Sequence, residues 1–126
     1  MRRPFCRKIR RIPLTARFRF RRRPPVTHDE FIDYWKNKLV EQTTKTPAKT
    51  GYIQLHVDPE LSHLAAEAAG FAIDDYDGVA LEWYPDMRGF MTAVKWASEP
   101  DAAIIESEAN INDFVSSMAL VSYLPR

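Results

Sequence analysis

From Gly51 to Val57 apolar and polar side chains alternate, with Ile53, Leu55 and Val57 on one side and Tyr52, Gln54 and His56 on the other. That period of two predicts a strand. Its apolar face is expected to pack under helices, and its hydrogen-bonding face to wall a small-molecule pocket. A second run, Tyr76–Tyr84, sets Val79, Leu81 and Trp83 against Ala80, Glu82 and Tyr84. Leu14–Arg21 alternates Thr15, Arg17, Arg19 and Arg21 with Ala16, Phe18 and Phe20, and Pro24-Pro25 closes it, since proline cannot donate to a strand ladder. Val115–Leu124, rich in β-branched and aromatic residues, reads as the closing strand.

Between these runs the period lengthens to that of a helix. Thr27 and Glu30 form a capping box, flanked by Val26 and Phe31 as a hydrophobic staple. The helix they open runs to about Gln42 with Phe31, Trp35 and Leu39, plus Tyr34, on its buried stripe; His28, at its first position, is expected to be exposed. Asp58 caps a shorter helix with Pro59 at its start, Leu61, Leu64, Ala65 and Ala68 as its stripe, and Gly70 as its stop. Asp86 caps a third, in which Met87, Phe90, Met91, Val94 and Ala97 follow the i, i+3, i+4, i+7 pattern. A short helix from Ser98 to about Glu108 and a turn over Asn110–Phe114 precede the last strand. The order is β-α-β-β-α-β with inserts, an α+β, ferredoxin-like plan with an antiparallel four-stranded sheet and helices on one face. The uncovered face asks for a second sheet over it.

Composition refines this picture at the N-terminus. The net charge of +1 is a balance: residues 1–28 hold eleven of the eighteen Lys/Arg and no acid, and residues 29–126 hold the other seven with all seventeen acids. Residues 1–12 therefore read as a basic extension on a domain of residues 13–126. A disordered tail, a nucleic-acid or acidic-membrane arm and a mitochondrial address all stay open there, with nucleic acid the lesser expectation. No apolar run approaches the roughly 20 residues of a membrane span. The single Cys6 and the three dispersed histidines give neither a disulfide nor a zinc spacing, which points to a reducing, cytoplasmic setting without a metal or other cofactor.

With the elements placed, residues 18–124 resemble the EthD domain, a branch of the dimeric α+β barrel superfamily. The matching pieces are Arg21-Arg22-Arg23-Pro24, Thr27 to Trp35, Tyr52 to His56, Tyr76 to Val79, and Ser98-Glu99-Pro100. The resemblance implies a homodimer whose sheets pack face to face, with a pocket in each protomer. It also implies dehydratase, decarboxylase or cyclase-like chemistry on phenolic or polyketide-like molecules. This chain departs from the family where relatives carry His-x-Pro-Leu after the Tyr-Trp pair; here stands Leu39-Val40-Glu41-Gln42. Its first strand is also far richer in arginine.

His56 is the candidate catalytic group, because an imidazole titrates near neutrality and can move a proton to or from a phenol or an enolisable carbon. Gln54, Tyr52, Tyr84, Glu82 and Arg19 are the candidate substrate-binding groups. The tyrosines can donate to an oxyanion, and an internal arginine is costly unless it is paired or faces an anion. Asp74, Asp75 and Asp77 read as a solvated loop, with a metal site there the weaker option. The leading expectation is a cofactor-independent lyase or cyclase; a non-catalytic ligand-binding dimer is the alternative.

Overall fold

The computed structural model describes residues 13–73, 75–99, 109–113 and 117–123. The basic extension, the segment read as a short helix beyond Glu99, and Asp74 lie outside the described residues.

Strand β1 (Leu14–Phe20) is followed by helix α1. This helix runs unbroken through an α-helical piece, His28–Tyr34, a π-helical turn, Trp35–Leu39, and a last α-helical turn, Val40–Thr43. Then come β2 (Gly51–His56), α2 (Pro59–Ala69), β3 (Gly78–Tyr84), α3 (Met87–Ala97) and β4 (Met118–Tyr123). The sheet order is β2-β3-β1-β4 with every pair antiparallel, the ferredoxin-like arrangement, and α2 stands where the basic plan has only a hairpin.

The caps form as their sequences dictate. Thr27 Oγ1 accepts from the Glu30 backbone N–H at 3.1 Å, and a Glu30 carboxylate oxygen accepts from the Thr27 N–H at 2.9 Å. These bonds hold the Glu30 carboxyl below its ordinary range. Asp58 and Asp86 cap α2 and α3 by accepting from the Leu61 and Gly89 backbone N–H groups, and Gly70 ends α2 in the left-handed conformation that glycine adopts without a Cβ penalty.

Strand register decides which side chains share a face, since residues opposite one another in an antiparallel pair point the same way. Leu14, Ala16, Phe18 and Phe20 of β1 lie with Gly78, Ala80, Glu82 and Tyr84 of β3 and with Tyr52, Gln54 and His56 of β2. This is the helix side. Phe31, Trp35 and Leu39 of α1 form one buried cluster with Ala80 and Ile111; Leu14, Ala16 and Tyr84 form a second with Ala93 of α3.

The expected facing of β2 is therefore reversed. Its apolar face is not under the helices: Ile53 and Leu55 are each 46% exposed, on the open side with Val79, Leu81 and Trp83. Tyr52 packs into the buried cluster instead. Burying this face is tolerable because its polar atoms bond one another rather than losing partners. Arg17 and Arg19, in register with Leu81 and Val79, share the open side, where Met118 and Leu120 are also more than half exposed.

Candidate functional site

A cavity of about 460 Å³ lies between the helix side of the sheet and helices α1 and α3, within a single chain. Phe18, Phe20, Trp35, Leu39, Phe90 and Trp96 make most of its wall apolar. The size and lining are those of small-molecule sites. Phe20 meets the edge of Trp35 with ring centres 5.6 Å apart, and Tyr84 meets Phe90 at 5.3 Å, so the walls are braced by aromatic contacts.

The polar groups gather on one side. Glu82, inward-facing on β3, accepts a hydrogen bond from the Tyr84 hydroxyl at 2.7 Å through Oε1, and Lys49 Nζ approaches its Oε2 at 3.1 Å. Both charged side chains are nearly buried, 7% exposed for Lys49 and 12% for Glu82. A charge so placed is sustained by its partner and by further donors and acceptors. Lys49 also donates to the Thr43 carbonyl at 3.0 Å and sits 4.8 Å from the centre of the Tyr52 ring. Burial, reinforced by the Glu82 carboxylate, pushes the Tyr84 phenol far above its ordinary range; burial likewise raises Tyr52. Both remain protonated donors at neutral pH.

A second hydrogen-bonded row leads outward from the cavity. Gln54 Nε2 donates to the Tyr52 hydroxyl at 3.0 Å and to the Trp35 backbone oxygen at 3.1 Å, at the first residue of the π-helical turn. That leaves Gln54 Oε1 to accept from His56 Nε2 at 3.0 Å, which sets the imidazole tautomer. His56 lies against Trp35 with ring centres 5.6 Å apart. Burial, with Lys36 and then His28 nearby, holds its pKa below the ordinary 6.5.

The structure thus brings together Tyr52, Glu82 and Tyr84 on the cavity wall, with Gln54 tied behind Tyr52. His56 is not part of that wall, and Arg19 stands on the opposite face of the sheet, 5.8 Å from the Tyr76 ring centre. Arginine on a period-two strand among phenylalanines takes the wet side, because the phenylalanines claim the helix side. Lys49 escaped the sequence reading, lying in a polar loop with no pattern to mark it. The one available signal was its position just before β2, beside a strand carrying an inward glutamate.

Two further expectations are corrected. Asp77 is not in a solvated loop: it is 1% exposed, and its Oδ1 is 2.7 Å from both Arg22 Nη1 and His28 Nδ1. Its Oδ2 accepts from the Arg22 N–H at 2.8 Å. His28, expected to be exposed, is therefore engaged and only 22% accessible at its side chain. Among the described residues no group of three or more His, Cys, Asp or Glu side chains is placed to hold a metal ion, and no helix is long and apolar enough to cross a membrane.

No curated protein matches the chain in sequence. Solved structures do match in fold. A dimeric ferredoxin-like protein of unknown function from Thermobifida fusca superposes with a TM-score of 0.61 at 18% identity, covering 90% of this chain and 92% of that one. An ethyl tert-butyl ether degradation (EthD) family protein from Bacillus halodurans gives 0.60 at 9% identity, covering 90% and 99%. The hydroxynitrile lyase of Passiflora edulis gives 0.56 at 10%, covering 92% and 96%. The EthD domain profile itself matches residues 23–114. With that match spanning most of its length, the chain belongs to the EthD domain family.

Proposed function

We propose that this protein is a lyase- or cyclase-type enzyme acting on a phenolic or polyketide-like molecule held between sheet and helices, and that it works as a homodimer. The observation that carries the reading is Glu82, a carboxylate lining an otherwise largely apolar cavity, with a phenol on one oxygen and an ammonium on the other. A carboxylate in such surroundings can take a proton from a carbon next to a carbonyl. As the substrate oxygen gains charge, Tyr84 turns its hydroxyl from Glu82 to that oxygen, with Tyr52 as a second donor. Lys49 anchors the carboxylate through its second oxygen, and the aromatic walls hold the ring system flat. His56, outside the wall, is a positioning group: through Gln54 it fixes the Tyr52 hydroxyl.

One observation favours a second reading, that of a binding protein without turnover. Both oxygens of Glu82 already have partners, so the base is free only if Tyr84 moves. The two readings separate with 2-tetralone in deuterium oxide and 2-naphthol as a binding probe. The enzyme reading expects protein-dependent exchange of the α-hydrogens, slowed about 10²–10⁴-fold in Glu82→Gln while naphthol still binds. Binding with no exchange above buffer supports the second reading. Exchange unchanged in Glu82→Gln removes Glu82 from the chemistry.

A further inference from the structure

Helix α2 presents its apolar stripe in the wrong direction for a core. Leu61 and Leu64 are 62% and 58% exposed, Ala65 and Ala68 beside them are exposed as well, and the helix buries none of its residues. Its less exposed positions are Ser62 and Ala66, on the other side. Beyond Gly70 the loop adds Phe71 at 75% exposure and Ile73. A helix that turns only Ser62 and Ala66 toward its own domain and leaves its leucines outward is built to pack on something else.

Charge narrows the choice of occupant. Residues 50–87 contain no lysine or arginine, and Glu60 and Glu67 flank the leucine stripe. An amphipathic helix that lies on an anionic membrane carries basic residues on its polar side, which this one lacks. The complementary charge is on this chain: Arg17 and Arg19 stand on the open sheet face with no acidic residue among the described residues of that face. That face is apolar around them, through Ile53, Leu55, Leu81, Met118 and Leu120, and β2 leads from it directly into α2.

We infer that residues 58–73 form a docking arm that packs on a second copy of this chain, its leucines against apolar surface and Glu60 and Glu67 facing the other copy's Arg17 and Arg19. The inference rests on the homodimer proposed above and adds how that dimer is clasped. Opposite charges across the contact fix its register and reject mismatched pairings.

Sedimentation equilibrium over a range of protein and salt concentrations tests it. The wild type is expected to be a dimer, and Leu61→Glu/Leu64→Glu to weaken its association roughly thirtyfold or more with an unchanged circular dichroism spectrum. Glu60→Lys/Glu67→Lys should also weaken it, and Arg17→Glu/Arg19→Glu added to that variant should restore it. A wild-type monomer would overturn both the homodimer and the arm. A dimer indifferent to the leucine and charge-reversal variants would overturn the arm alone. A protein that stays monomeric yet sediments with phosphatidylcholine–phosphatidylserine vesicles would overturn both and give the leucine stripe to a membrane surface instead.

Discussion

At the scale of single residues, the buried pair of Lys49 and Glu82 decides what the cavity can do. Removing one partner leaves the other charged in an apolar setting, so Lys49→Met should destabilise the protein by about 3 kcal/mol. The double variant Lys49→Met/Glu82→Leu should recover most of that loss, because the pair itself adds little net stability; urea melts of the three proteins check both outcomes. The tyrosines give a pH signature. Tyr52 and Tyr84 have folded pKa values raised above the ordinary 10.0, so the folded state keeps protons that the unfolded chain gives up. Their contribution is complete below about pH 10 and is lost as pH rises beyond it. Stability measured from pH 8 to 11.5 should fall above pH 10, less steeply in Tyr84→Phe; an identical slope would mean that Tyr84 is not held as a neutral phenol. Little of this polar network was legible in the residues themselves. Tyr52, Glu82 and Tyr84 could be named from alternation, but a lone loop lysine could not.

At the scale of elements, the local signals were the strong ones. Thr27, Glu30, Asp58, Gly70 and Asp86 mark their helix ends by hydrogen-bonding chemistry that acts within four residues, and those ends stand where they are marked. The facing of β2 was not local. Alternation splits Ile53 and Leu55 from Tyr52 and Gln54, but it cannot say which set lies under helices tens of residues away in sequence. The usual rule, apolar side inward, failed because the open apolar side suits a further partner and the polar side is satisfied internally. The same limit misled the reading of α2, whose stripe was regular but pointed outward. One close approach tests the packing of α1 on β3. A Cβ at Gly78 would overlap the ring of Trp35. Gly78→Ala should therefore cost about 1–3 kcal/mol in chemical denaturation despite the better strand propensity of alanine, and a neutral result would mean that Trp35 does not lie over β3.

At the scale of the whole molecule, the element order alone carries the fold. Four strands and two crossover helices in this sequence order leave one sheet face covered and one open, and the cavity forms where the covered face and the helices stay apart. The site therefore belongs to one chain, with its open face available to a partner. Trp35 and Trp96 line the cavity and report on it directly. Ala93, on the same wall and 4% exposed, offers a way to fill the space while leaving Glu82 and Lys49 in sequence unchanged. The decisive measurement is tryptophan fluorescence during titration with 2-naphthol in the wild type and in Ala93→Phe. A ligand site between sheet and helices predicts saturable quenching in the wild type that is lost in Ala93→Phe, with the fold intact by thermal melting. Equal quenching in both proteins would place the ligand elsewhere and contradict the account.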